Sequence, residues 1–346
     1  MSMNYLHWFI PFACLIAFFI WYFGKTFINF FPLKTKIQKK ATWSTLAIFT
    51  TITILFRTPV TGFLIYFTFF HLIYDFLLFC TNHLKKEKKF LRKLNLHEIL
   101  IISLALLITC YGIINTQNPV ITTYTVHTEK KITTPIKIGF ISDIHLGTPY
   151  INHQLETLKT IINNQNYDVF ILGGDILDEW STPKDHENLL TILSNIKTKY
   201  GLYYIEGNHD PLTTESKTFY EKANVTILED EAILINNQFY LIGRKDRINK
   251  DAQSLSTLTK ELNEEYPIIL LEHRPTIKSE LENSIIDISL SGHTHGGQIW
   301  PANYFLEYGH YQYKNKDAIV SSGYGEWGVP IRTAHHSEII TVWLQN

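Results

Sequence analysis

Residues 291–298 read SGHTHGGQ. Two histidines, His293 and His295, stand one residue apart among glycines, directly after the apolar run IIDISL (285–290). A short run of that character predicts a buried strand, so the pair sits where a strand ends and a loop begins. In extended backbone alternate side chains share a face, which predicts that both imidazoles aim at one spot. The glycines let the chain turn sharply and let ligand groups approach without a Cβ in the way.

The same arrangement recurs upstream. PIKIGFIS (135–142), YDVFILG (167–173), GLYYIE (201–206), FYLIG (239–243), YPIILLE (266–272) and DAIVSS (317–322) also read as buried strands. Helix-length polar stretches at 151–165, 184–198, 214–223 and 253–264 lie between them, which predicts an α/β domain with its sites at strand ends. Strand ends deliver SDIHLG with Asp143 and His145, GGDILD with Asp175 and Asp178, GNHD with Asn208, His209 and Asp210, and LEHRP with His273.

Each fragment alone is weak, because an isolated histidine is more often a satisfied core or surface residue. The ten other histidines, among them His153, His186, His310, His335 and His336, take that bland reading. Five such fragments, each closing a strand, point instead to a metal centre. Its donors must be nitrogen and oxygen, since Cys14, Cys80 and Cys110 all lie in apolar segments and the back half of the chain has no thiol.

These five blocks resemble the ordered signature of the calcineurin-like metallophosphoesterase superfamily: D-x-H, G-D-x-x-D, G-N-H-[DE], H and G-H-x-H. The resemblance covers about 135–345 and implies a two-sheet sandwich flanked by helices, with two divalent metals at one edge. It implies that Asp143, His145, Asp175 and His295 hold the first metal, and that Asp175 bridges to a second held by Asn208, His273 and His293. It also implies that His209 contacts the phosphate and protonates the leaving oxygen. Asp178 and Asp210 are expected to orient ligands from behind. Mixed N/O ligation suits Mn²⁺ best, with Fe or Zn²⁺ as alternatives.

The front of the chain has a different character. Residues 1–116 hold 12 Lys/Arg against three acids, whereas 117–346 hold 19 against 29, a formal charge of −10. An acidic back half argues against a nucleic-acid substrate, which needs clustered cations. Four apolar stretches, at 1–24, 41–56, about 58–80 and 98–116, are expected to span a membrane. The lysine-rich loops KTKIQKK and KKEKKFLRK would then be cytoplasmic, and the remainder of the chain extracytoplasmic. The expected organisation is a helical membrane region over 1–116, a linker over 117–134 and an αββα catalytic domain over 135–346. Asp75, one helical turn after His71, lies within the third stretch near its cytoplasmic end, and no polar stripe lines a transport path.

Beyond His295 the sequence looks like a membrane-linked subgroup that includes UDP-2,3-diacylglucosamine pyrophosphatases of lipid A synthesis. Trp300, Tyr304, Phe305, Tyr308 and Trp327 form a candidate apolar wall for an acyl chain, and Arg332 a candidate partner for a second phosphate. The expectation is a membrane-anchored hydrolase of a phosphodiester or pyrophosphate, with membrane lipids as partners. That cytoplasmic, nucleotide-linked reaction conflicts with an extracytoplasmic domain, so the substrate side stays open. A transporter or receptor carrying a binding module, and a nuclease or protein phosphatase of the same fold, are the competing readings.

Overall fold

The computed structural model describes residues 18, 20–22, 24–25, 35–55, 57–83, 96–148, 151–247 and 249–346. The chain divides into a helical unit, Met1–Ile113 with Gly328–Ile331, and a sheet unit, Ile114–Trp327 with Arg332–Asn346.

The helical unit contains α1 (Lys36–Leu55), α2 (Pro59–His83) and most of α3 (Leu96–Thr116). Among the described residues, two stretches are long and apolar enough to cross a membrane, Pro59–Cys80 and His97–Thr116. The stretch expected at 41–56 is helical in α1, but lysines at its start and threonines along it dilute its apolar character. Most of the first expected stretch and the loop KKEKKFLRK lie outside the described residues. Two polar groups within α2 have close neighbours: Asp75 accepts from the Tyr22 hydroxyl at 2.8 Å, and His71 Nε2 lies 2.9 Å from Glu98.

Among the described residues the sheet unit holds twelve strands in two six-stranded sheets. The first is ordered β1 (Val120–His127), β12 (Glu338–Gln345), β2 (Ile136–Ile141), β3 (Val169–Leu172), β4 (Leu202–Tyr204) and β5 (Val225–Ile227). The second is ordered β10 (Gly309–Tyr313), β11 (Lys316–Val320), β9 (Ile288–Ser291), β8 (Ile268–Leu271), β7 (Phe239–Gly243) and β6 (Glu231–Ile235). The stretch expected as a linker therefore carries a strand. β1 runs parallel to β12 over eight residue pairs, and its VITTYTVH alternation leaves only one side partly covered, as an edge strand permits.

Period-two alternation explains why the central strands read as unbroken apolar runs. Val169 and Ile171 of β3 pack with Ile269 and Leu271 of β8 between the sheets. Their neighbours Phe170 and Leu172 face outward onto α4 (Ile151–Gln165), α5 (Pro183–Leu193) and α6 (Thr214–Lys222). On the far side Ile268 and Leu270 meet the short α7 (Leu255–Leu258) and α8 (Lys278–Glu282). The order is helix, sheet, sheet, helix. The helix expected over 253–264 is confined to α7, where Ser and Thr alternate with leucine and favour capping over propagation.

β2, β3 and β4 are mutually parallel, as are β8 and β9. Their carboxyl ends carry all five blocks.

Candidate active site

At these strand ends the side chains gather into two groups with ligand atoms within 4.8 Å of one another, Asp143–His145–His295 and Asp175–His273–His293, with a third, His145–Asp178–His209, overlapping the first. Asp175 Oδ2 also lies 3.8 Å from His145 Nε2, so it stands between them. The two imidazoles of SGHTHGG thus serve different groups rather than one spot. The reason is backbone conformation: Asp143, His145, Asp175, His293 and His295 all have positive φ, between 48° and 70°. For residues other than glycine this left-handed region costs about 1–3 kcal/mol each and persists only where the surroundings enforce it. The convergence comes from tight turns after each strand, not from alternation along it.

Glycines make those turns possible. A Cβ on Gly292 would overlap Ser142 Oγ and Asp143 Oδ2, and one on Gly207 would overlap Asp175. Asp210 secures the second and third blocks from beneath. Its carboxylate accepts the backbone N–H groups of Asp175 at 2.9 Å, Ile176 at 2.6 Å, Leu177 at 3.2 Å and Gly207 at 2.8 Å.

The donor set fits divalent cations. His145 Nδ1 donates to buried Asp178 at 2.9 Å and His273 Nδ1 to the Gly173 carbonyl at 2.9 Å, which turns both Nε2 atoms into the centre. His145 Nε2 and His295 Nε2 approach to 3.1 Å. Two nitrogens about 2.0–2.1 Å from a shared ion, at right or tetrahedral angles, would lie about 2.9–3.4 Å apart. Asn208 Oδ1 is buried without a hydrogen-bond donor, and His273 Nε2 likewise lacks a well-directed partner although Asp175 Oδ2 is 3.0 Å away. A buried acceptor left bare is costly unless a cation meets it.

Electrostatics follow from burial and mutual charge. Burial works to lower the His273 pKa, but Asp175 and Asp143 outweigh it and push it up to about 10. Burial presses His295 down to about 3, and burial with the neighbouring His273 and Arg274 presses His293 down to about 4. Burial acts to raise Asp143 and Asp175, yet the surrounding histidines hold both below the usual carboxylate range. His293 and His295 are therefore neutral, while a cation entering beside His273 displaces a proton.

His209, Trp327 and Arg332, also singled out in the sequence, lie beside this centre. His209 donates its backbone N–H to Asp175 Oδ1 at 2.7 Å, and its partly exposed ring stands 5.1 Å from the His145 ring. Trp327, half exposed, lies 5.9 Å from the His209 ring. Arg332 is fully buried, donating to the Gly325 carbonyl at 2.5 Å with Nη2 at 3.4 Å from His295 Nδ1. Tyr304 and Phe305 are 74% and 84% exposed, whereas Tyr308 is turned inward to Glu338 at 3.2 Å.

Two residues of the site carry no motif of their own. Gln298 accepts the Trp327 N–H at 2.9 Å and its carbonyl accepts Thr333 N at 2.9 Å, so the last letter of SGHTHGGQ anchors the loop behind Trp327. Arg274, next to His273, places Nη1 3.0 Å from His293 Nε2. Its position beside a ligand was the only signal in the sequence.

Residues 136–297 match the family model described as calcineurin-like phosphoesterase. This segment is similar to calcineurin-like phosphoesterase domains. An uncharacterized metallophosphoesterase of Helicobacter pylori is 32% identical over 227 residues, covering 60% of this chain and 60% of that protein. A metallophosphoesterase of Aquifex aeolicus is 29% identical over 259 residues, covering 70% and 98% respectively. A bovine (Bos taurus) transmembrane protein with metallophosphoesterase domain is 27% identical over 284 residues, covering 73% and 64%. The chain thus spans about three fifths of the Helicobacter relative's length. Within this segment His and Asp residues are grouped so that they could hold divalent metal.

Proposed function

We propose that this chain is a membrane-anchored, two-metal phosphohydrolase acting on a phosphodiester or pyrophosphate bond, with a lipid-linked or envelope substrate. The observation carrying the reading is the pair of ligand groups with Asp175 of one lying 3.8 Å from His145 of the other, together with bare Asn208 Oδ1 and facing imidazole nitrogens turned inward. Bound divalent cations, Mn²⁺ by preference, would neutralise phosphoryl charge and acidify a water between them. Asp143, His145, Asp175 and His295 would hold one, and Asp175, Asn208, His273 and His293 the other.

The chain's own residues do the rest. His209, held at its backbone by Asp175 and open to solvent on one side, is placed to donate a proton to the leaving oxygen. Glu179 Oε2, 3.4 Å from His209 Nδ1, favours the orientation that turns Nε2 toward substrate. Asp178 and Asp210 fix His145 and the Asp175 turn. Exposed Trp327, Tyr304 and Phe305 favour an amphipathic substrate, and the two membrane-length helices favour one confined to a bilayer. A UDP-2,3-diacylglucosamine-type pyrophosphate is the leading specific candidate.

The test is hydrolysis by the full-length protein, with Mn²⁺ and after chelation, of bis-p-nitrophenyl phosphate beside UDP-2,3-diacylglucosamine. Metal-dependent cleavage of the lipid nucleotide far above the diester supports the specific candidate. Cleavage of the diester alone retains the hydrolase and removes that substrate. Failure of the metal-loaded protein on both sinks the reading.

A further inference from the structure

We infer that Arg274 is a substrate-anion receptor that selects esters with a second phosphoryl group beside the scissile one. This rests on the hydrolase reading above and names its substrate class.

Arg274 follows His273 directly at the end of β8, so it leaves the sheet where the ligands converge. Its Nε lies 3.1 Å from both carboxylate oxygens of Asp246, a side chain wholly removed from solvent. A buried carboxylate gripping one edge of the guanidinium fixes its plane and turns the other edge outward. That other edge reaches the metal-ligand shell: Nη1 is 3.0 Å from His293 Nε2. Nη2 has no hydrogen-bond partner among the described residues, and the side chain is 30% exposed. In this planar donor fork, held from behind by Asp246, Nη1 lies against His293 and Nη2 is the open donor, which matches one oxygen of a phosphate.

Other cations near the centre cannot take this role. Arg332 is sealed from solvent against Gly325. Arg244 is consumed by Glu272 and Glu280. Asp246 neutralises Arg274 only on its Nε edge, so the front edge still draws anionic oxygen. A diester carries one anionic phosphoryl group, which the metal ligands' cations would take up. A pyrophosphate diester carries a second, and Arg274 lies beside the His293 group where it can receive it.

The experiment uses metal-loaded, full-length protein and two probes, with products separated and quantified as p-nitrophenol and p-nitrophenyl phosphate: bis-p-nitrophenyl phosphate and P1,P2-bis(p-nitrophenyl) pyrophosphate, which adds one phosphoryl group between the same ends. For Arg274→Ala the ratio of kcat/KM, pyrophosphate over diester, is expected to fall about ten-fold or more, the scale of a lost charge-assisted hydrogen bond. Arg274→Lys keeps the charge and loses the fork, so it is expected to recover part of that ratio. Asp246→Asn tests the positioning role, with a rise in KM for the pyrophosphate and little change in kcat. Equal losses on both probes would place Arg274 on the scissile phosphoryl group and overturn the inference, as would an unchanged ratio in both Arg274 variants. Wild-type protein inactive on both probes would instead defeat the hydrolase reading itself.

Discussion

His145 Nε2 and His295 Nε2 face each other at 3.1 Å although 150 residues separate them in the chain. The His145 ring is buried and the His295 ring mostly so, and Asp178 directs the His145 Nδ1–H away from the gap. Two lone pairs repel at that distance unless a proton or a cation lies between them. His295→Ala is expected to lower tightly bound metal and to cut diester hydrolysis by about 10²-fold or more. Elemental analysis of dialysed protein, alongside a rate assay, checks it; full metal content and full activity would show that the rings are merely packed.

Asp178 accepts the Nδ1–H of His145 in a buried hydrogen bond of 2.9 Å. Removing such a partner costs about 10–100-fold in metal affinity or activity. Asp178→Ala should therefore need about that much more Mn²⁺ for half-maximal rate, with kcat largely recovered at saturation. A Mn²⁺ titration identical to wild type would assign Asp178 to loop structure alone.

Gly207 has no room for a methyl group, because a Cβ there would overlap the Asp175 carboxylate and backbone nitrogen. Gly207→Ala must displace the shared ligand. Overpacking of this kind typically costs about 1–3 kcal/mol. The expected result is a lowered Tm together with loss of bound metal, read by calorimetry and elemental analysis. Retention of both would mean that the turn after β4 has slack absent from this geometry.

Protonation of the leaving group separates His209 from the ligands. His209→Ala should keep its metal, since the ring is partly exposed and outside both ligand groups implied for the cations, yet lose about 10²–10⁴-fold in kcat. The loss should be larger for an alkyl phosphodiester than for a p-nitrophenyl ester, whose leaving group scarcely needs a proton. Equal losses on the two esters would argue for phosphate binding rather than proton donation.

Much of the domain was legible in the letters. Seven apolar runs map onto strands because both faces of each central strand are buried, leaving an uninterrupted hydrophobic signature. β1, β5, β6 and β10 carried no such signature, being short or at the sheet margins where alternation is mixed with polar residues. β1 in particular reads as a linker, VITTYTVH, until β12 arrives from the far end of the chain to pair with it.

For the centre, the sequence by itself determined the chemistry: nitrogen and oxygen donors in a fixed order, each closing a strand and each accompanied by a glycine or a carboxylate. The tertiary structure alone decided the grouping. Which imidazole joins which carboxylate depends on left-handed turns at Asp143, Asp175 and His293, and nothing local announces these because the stabilising contacts come from other blocks. Asp210 holding the Asp175 turn and Asp143 accepting the His293 N–H are two such contacts. The same holds for the two arginines. Both follow apolar segments in the sequence, but only packing reveals that Arg332 is enclosed while Arg274 keeps an open edge, because burial is a property of the folded neighbours and not of the residue.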